Sequence, residues 1–576
     1  MLNRIRRFLP QNLLRHYSSL HYSEALSQRI TWGHWFTLFN IVMALLIASR
    51  YAFNADWPDT LLGKLYFFVS LLGHFGFIVF AVYLLLLFPL SFLIKNERTF
   101  RGISVIIATI GMTLLLVDTE VFKQFYLHLS PLVWDLLVDP DEGELSRQWQ
   151  LLFVPMPLIL LVQMIYSRWC WHKLRSFSRQ KWGKYVAFFF LSCFSATHLF
   201  YALADMTLYR PITAQKANYP LSYPMTARTF LEKHRLIDRD SYQQTLNETG
   251  RLDTFFLNYP KNPLKFSLMK KKINFLFINL SGLSTSTSQK MPTFRYIAEH
   301  SYQLTQHHIS GDSTTAGIVG LFYSLSGRYT DAILNERKRS VFIENLQHLE
   351  YQFGLFSHNS FHNPLYRRAL FADFTLPKHN SNIEAITDWK LWLDKQHQPF
   401  FSYLDLSIES LQNTDLQLAD IWQTLQAQNL LHNTLVLITA DIAQPPLNTE
   451  NQNRFAKQYT QVPMLIYWQG KQHIHTQLSS HLDIIPTLMV QFLGLNSPLT
   501  DFSQGTDLSK ENNRKWLIAS NYRTTVAILP NGEQYHIDRK GEVNYFNLEG
   551  KQQKKNRPPL ALFLQLIQQS NQFIEN

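Results

Sequence analysis

Apolar positions crowd the first third of the chain into long unbroken runs. Beyond about residue 206 they break into short runs separated by amphipathic stretches. Five of the early runs can cross a hydrocarbon layer of ~30 Å as helices: about 31–51, 66–94, 102–122, 148–169 and 185–206. The pattern predicts a 1–30 tail, a five-helix transmembrane domain over 31–206, and an interfacial linker over 207–249. No run has the early placement or small-residue cleavage site of a removable signal peptide, so all five are expected to stay in the bilayer.

The later pattern is that of an α/β domain over 250–576. INFLFINL (273–280), FGLFSH (353–358), FFSYLDLS (400–407), TLVLITAD (434–441) and VPMLIYW (462–468) read as buried strands. Between them 291–300, 338–350, 383–396 and 413–430 read as helices, predicting a parallel or mixed sheet covered on both faces. Sites in such sheets lie at the carboxyl ends of the strands. That rule singles out Ser281, Asp441 and the run Ser313-Thr314-Thr315 before a helix.

Charge sets the expected orientation. The tail carries Arg4, Arg6, Arg7, Arg15 and Arg29; the next loop on that side carries Lys95, Arg98 and Arg101 against Glu97. The third basic loop holds Arg168, Lys173, Arg175, Arg179, Lys181 and Lys184 without an acid, whereas 123–147 has five acids against Lys123 and Arg147. Basic loops stay in the cytoplasm, so the N terminus is expected there and everything after 206 on the far side. The net charge of +12 in a membrane protein points to anionic lipid rather than nucleic acid. Cys170 and Cys193, the two cysteines, lie in or beside apolar runs, so the second half must stand on its own core without disulfides. His34, His74, Asp118, Glu120, His198 and Asp205 fall within the spans. The three acids sit at span ends, where water is near and an ion path is not required.

The stretch TLYRPITAQKANYPLSYPMTARTFLEKHRLI (207–237) is rich in proline, tyrosine and basic residues. Pro224 suits the first turn of a helix running to about 236, whose free N–H groups would favour a phosphate. Arg210, Lys216 and Arg228 add positive charge, while Tyr209, Tyr219, Tyr223, Met225 and Phe230 suit acyl chains. A tether with interfacial aromatics has the same composition.

WGHWFTLFN (32–40), IATIGMTLLLVDTEVF (107–122), YRPITAQKANYPLSYPMTARTFLEKH (209–234), HNPLYRRALFADF (362–374) and HLDIIPTLM (481–489) together carry a resemblance. The chain resembles the alkaline phosphatase/sulfatase superfamily, and within it the YejM/PbgA-type inner-membrane proteins of Gram-negative bacteria. The resemblance implies a five-helix transmembrane domain plus a periplasmic α/β domain of alkaline phosphatase/sulfatase type. Active members hold a divalent metal that activates a Ser or Thr nucleophile. Their first ligand, the Asp of V-D-G-L, is replaced here by Ser281 in Leu280-Ser281-Gly282-Leu283. Their Asp-His pair reads Asp441-Ile442, their further His gives way to Lys457-Gln458-Tyr459, and Ser313 matches the nucleophile. Hard cations need several anionic or imidazole donors together, and a lysine beside the vacated site would repel one. Ser313 also has no adjacent base; its plainer role is to cap the following helix. The expectation is therefore a degenerate hydrolase, with no metal and no other cofactor.

The resemblance further implies a regulator that senses lipopolysaccharide and controls proteolysis of the lipid A pathway deacetylase. It acts through a membrane-anchored adaptor of the FtsH protease, of the lipopolysaccharide assembly protein B type. Lipid A phosphate binding is assigned by the resemblance to Tyr223, Pro224, Met225, Thr226, Ala227, Arg228, Thr229 and Phe230; Thr229 stands where an Arg-Arg pair is expected. Anionic phospholipid such as cardiolipin is a further expected ligand. The rival readings are a phosphoethanolamine transferase or lipid phosphatase using Ser313 and Asp441, and a cardiolipin transporter.

Overall fold

The computed structural model describes residues 20–54, 57–58, 60–129, 134, 153–177, 180, 182–224, 226, 239–267, 272–396, 399–444, 453–510, 514–539, 541–553 and 558–574. The chain divides into two compact units that meet at residues 237 and 238.

The first unit is helical. α1 (Leu20–Asn54), α2 (Leu61–Leu93), α3 (Glu97–Phe125), α4 (Met156–His172) and α5 (Gly183–Met206) account for most of it. Four of them, all but α4, are long and apolar enough to cross a membrane. Within the predicted run at 148–169 the described α-helix begins at Met156, after Pro155, and 148–152 lies outside the described residues. Its 17 residues reach roughly 26 Å at 1.5 Å each, short of the ~30 Å core. The first helix starts eleven residues before its apolar run because its polar turns also pack. Arg29, counted above with the tail, is buried in α1 and donates from Nε to Ser91 O (3.0 Å) and from NH1 to Lys95 O (3.1 Å). It thereby satisfies carbonyls at the C-terminal end of α2, where a cation is favoured. Asn40 and Gln163 exchange side-chain hydrogen bonds between α1 and α4 (2.7 and 3.4 Å).

The second unit is built on a seven-stranded sheet. β1 (Asn274–Ser281), β2 (Tyr302–His308), β3 (Gln352–Ser357), β4 (Phe400–Ser407), β5 (Thr434–Thr439), β6 (Met464–Tyr467) and β7 (His473–Ser480) take the order β3-β4-β1-β5-β6-β2-β7. Only β6 runs antiparallel to its neighbours, so the sheet is mixed. β1 and β4 are buried along nearly their whole length, which is why they read as unbroken apolar runs. The helices Pro292–Glu299, Val341–His348, Asn382–Leu393 and Leu411–Ala427 fall where the pattern placed them. A core of Leu276, Ile278, Trp389, Leu404, Ile421 and Val436 joins strands to helices. Five further strands, from Leu517–Ser520 to Gln552–Gln553, form a separate antiparallel sheet that the sequence pattern did not announce.

Candidate functional site

At the carboxyl ends of the central strands the buried apolar pattern is interrupted by polar residues in register. Asn279 of β1 lies between Asp405 of β4 and Thr439 of β5. Its Nδ2 donates to Asp405 Oδ1 (2.8 Å), and its Oδ1 accepts from the backbone N–H of Asp441 (2.7 Å). Ser357 Oγ donates to the other oxygen of Asp405 (2.8 Å), and His358 Nδ1 stands 3.9 Å from it. Beneath this lie Tyr366 and Tyr403, hydroxyl to hydroxyl at 2.7 Å.

Two buried carboxyls sharing one site cannot both ionise cheaply. Burial, then the nearby Asp405, pushes the Asp441 carboxyl up to about 7, against the opposing dipoles of Ser281 and Asn279. Burial also raises Asp405; His358, Asn279 and Ser357 offset part of that. Asp441 Oδ1 is buried and has no hydrogen-bond partner.

The sequence-predicted positions converge here. Ser281 ends β1 beside Asp441. Ser313 is the N-cap of helix α6 (Thr314–Tyr323), its Oγ accepting from Ala316 N–H at 3.3 Å. The first turn of α6 presses on the end of β5: a Cβ at Gly317 would stand 1.9 Å from Asp441 O. Asn363 Nδ2 donates to Thr315 Oγ1 (2.9 Å), tying in the loop after β3. One expectation needs correction. Lys457 is exposed and is not among the charges acting on Asp441. The residue before Ser313, Asp312, does meet a cation: Arg454 Nε reaches its Oδ2 (3.0 Å), with Asn521 donating to the same oxygen (2.8 Å).

These donors do not suit the divalent metal of the superfamily. Asp405 already accepts from Asn279 and Ser357, Asp312 is held by Arg454 and Asn521, and Ser281 and Ser313 bring neutral hydroxyls. Among the described residues no three His, Cys, Asp or Glu side chains stand together in a way that would hold a metal ion.

Behind β5 lies a neutral imidazole pair. His481 Nε2 faces Ala440 O (3.1 Å), which can only accept, so His481 Nδ1 receives the Nε2–H of His307 (2.8 Å) and His307 Nδ1 faces Ser479 Oγ (3.1 Å). Burial depresses both, His481 to about 4, and it takes His308 to about 4 as well, with Lys457 adding to the effect. Sequence reasoning passed over Asn279, Asp405, His358, His307 and His481. The available signal was a lone polar residue near the end of an otherwise apolar strand, as in NFLFINLS and FFSYLDLS.

In the helical unit the segment after α5 is pinned across span ends. Tyr209 OH donates to Thr60 Oγ1 (2.8 Å), Gln215 Nε2 to Gly63 O (2.9 Å), and Tyr219 OH to Phe67 O (3.1 Å). His74 Nε2 contacts Pro220 O (2.8 Å). His128 bridges Ala217 O (2.9 Å) and Asp118 (2.8 Å), and Asp118 also accepts from Tyr51 OH and Leu129 N–H. Arg50 pairs with Glu120. Arg210 and Lys216 lie in short helical turns of this segment, and Leu221 and Tyr223 are each 74% exposed. Pro224 and Thr226 are described without helix; Met225, Ala227, Arg228, Thr229 and Phe230, and with them the helix expected over 224–236, lie outside the described residues.

Two family models match, a domain of unknown function (DUF3413) over 19–266 and Sulfatase over 357–495. An uncharacterized protein of Haemophilus influenzae is 48% identical, covering 97% of this chain and 98% of its own. Inner membrane protein YejM of Salmonella typhi is 40% identical, covering 96% and 99% respectively. The chain belongs to the YejM family. This is a family of inner membrane proteins, and the match to the Sulfatase model places a sulfatase-type α/β domain in its second unit. Solved structures similar to this YejM relative include an alkaline phosphatase superfamily protein from Vibrio parahaemolyticus (13% identity, 59% of this chain and 98% of that one, TM-score 0.44). The lipoteichoic acid synthase LtaP of Listeria monocytogenes is another (16%, 57% and 97%, TM-score 0.40).

Proposed function

We propose that this protein is a non-catalytic sensor of lipid A in the inner membrane, regulating lipopolysaccharide synthesis through an FtsH adaptor that governs proteolysis of the lipid A deacetylase. In this reading five helices span the bilayer, α4 among them. The basic loops at Lys95–Arg101 and Arg168–Lys184 hold the N terminus in the cytoplasm, and the sulfatase-type unit is periplasmic.

The observation that carries the reading is the pinned segment 209–223. It ends in exposed Leu221 and Tyr223, contains basic Arg210 and Lys216, and is hydrogen-bonded to residues of α2 and to His128. A lipid seated on it would bear directly on the span ends. The chemistry of the described donors around Asp441, with Asp405 engaged by Asn279 and Ser357 and Ser281 bringing a neutral hydroxyl, supports a domain that has left hydrolysis behind. Signalling then requires lipid A to favour one arrangement of that segment over another.

The test uses the full chain in nanodiscs. Replacing Thr226-Ala227-Arg228 with Glu-Asp-Glu is expected to weaken lipid A binding at least tenfold while leaving the melting temperature unchanged. Wild-type affinity in that variant removes the site from the account.

A further inference from the structure

The helical unit holds a second lipid-sized feature, at the end of the spans remote from 207–223. A cavity of about 560 Å3 runs between α1, α2 and α5. Along α1 it is lined from Thr31 to Ile41, along α2 from Tyr83 back to Gly76, and along α5 from Gly183 to Phe194. Ten helical residues rise roughly 15 Å, half of the ~30 Å hydrocarbon layer, so the groove is about one leaflet deep.

Its two ends differ in chemistry. The deep end is walled by Ile41, Phe77, Phe190 and Phe194, with Gly76 allowing close approach; a Cβ there would stand 2.7 Å from Phe190. The shallow end carries Thr31, His34, Gln180 and Lys184, and no acid among the described lining residues. Lys184 Nζ rests 5.0 Å from the Tyr185 ring centroid. Trp35 stacks on Phe177 (4.6 Å) and meets Trp182 edge-on (5.0 Å) at this level, an aromatic cluster of the kind that marks a membrane–water interface. Tyr83 stands beside His34 with a buried hydroxyl that has no hydrogen-bond partner, at the start of a π-helical turn, Tyr83–Leu87. Such turns gather at functional sites.

We infer that this groove binds a glycerophospholipid of the surrounding leaflet, its acyl chain along Phe77, Phe190 and Phe194 and its phosphodiester against Lys184 and Gln180. The length fits one leaflet, the cation sits at headgroup level, and the remainder is apolar. A bilayer lipid satisfies all three. A bound lipid here would brace α5 against α1 and α2 at the end opposite the pinned segment.

The experiment compares phospholipid retained by full-length protein after detergent washing, counted by native mass spectrometry. Wild type is expected to keep about one phospholipid per chain. Ala187→Trp, which fills the groove from an exposed position, is expected to lower retention at least fivefold with an unchanged melting temperature. Lys184→Glu, on an exposed side chain, is expected to lower it severalfold and decides the matter if Ala187→Trp does not fold. Retention equal to wild type in a folded Ala187→Trp or in Lys184→Glu overturns the proposal. So does a photo-crosslinker at residue 187 that labels a protein rather than a phospholipid.

Discussion

Both units of this protein bury carboxyl groups, and two of these, Asp118 and Asp441, are treated in opposite ways. In the helical unit Asp118 accepts from Tyr51, His128 and the Leu129 amide, and Glu120 pairs with Arg50. In the sulfatase-type unit Asp441 has another acid, Asp405, as its charged neighbour, and one of its oxygens has no partner. A buried charge persists only where donors or cations meet it. Asp118 has that equipment, and through His128 it fastens the segment after α5. Asp441 lacks such a set of donors, and burial beside Asp405 favours its protonated form, whereas Asp312 and Asp483 of the same unit pair with Arg454 and Arg514. The difference sets Asp118, wired to residues 51, 128 and 129, apart from Asp441 at the carboxyl end of the sheet.

The largest expected effect breaks the wired side of the comparison. Asp118→Ala leaves Tyr51, His128 and the Leu129 amide without their acceptor at a nearly buried position. Loss of one partner from such a set costs about 3–5 kcal/mol. The melting temperature of the helical unit, followed in the full chain, should fall by many degrees, and proteolysis near 207–224 should accelerate. A melt unchanged from wild type would mean the network holds nothing.

Next comes the close approach that shapes the inherited site. Gly317→Ala drives a methyl group into Asp441 O, which must move by well over an ångström. Overpacking of this kind costs about 1–3 kcal/mol, read as a drop in the stability of the sulfatase-type unit.

What the sequence revealed follows the same division. β1 and β4 were legible to within a residue because both faces are buried and most positions are apolar until the site begins. β2 (YQLTQHH) and β7 (HIHTQLSS) were not, since their polar residues are explained only by partners far along the chain, such as His481 for His307 and Thr460 for His308. Ser281, Ser313 and Asp441 were found as a trio because their place at strand ends is a topological rule, whereas Asn279 and Asp405 make sense only once the β1–β4 register is known. In the fourth apolar run the described α-helix begins at Met156, with Pro157 in its first turn, while the run itself starts at 148, in residues outside those described. Arg29 looked like a topology signal and is also a buried cap on α2.

A smaller effect sharpens the unpaired side, and its sign depends on pH. Asp441 has a folded pKa near 7, well above its ordinary value, so its stabilising contribution is full below about pH 4 and is lost as pH rises through 7. His307, His308 and His481 are depressed instead. The unfolded chain binds more protons there, so their contribution is full above about pH 6.5 and is lost on acidification toward pH 4. Asp441→Asn removes the first dependence alone. It should raise stability by on the order of 1–2 kcal/mol at pH 8 and by much less at pH 5. The acid-side loss set by the histidines should remain. An equal effect at both pH values would show that Asp441 does not carry a shifted proton.

The smallest effect asks whether Ser313 still belongs to chemistry at all. As the N-cap of α6 its Oγ accepts the Ala316 amide at 3.3 Å, and loss of such a cap costs about 1 kcal/mol. If that is its whole role, Ser313→Ala lowers stability by this amount while Ser313→Asp, an equally good cap, restores it, and neither changes lipid A binding or deacetylase turnover in cells. A nucleophile behaves differently, because aspartate cannot replace a hydroxyl that must attack phosphorus. Rescue of stability together with unchanged regulation in Ser313→Asp therefore assigns the residue to the fold. Loss of regulation in both variants, with stability restored in the second, would return it to catalysis.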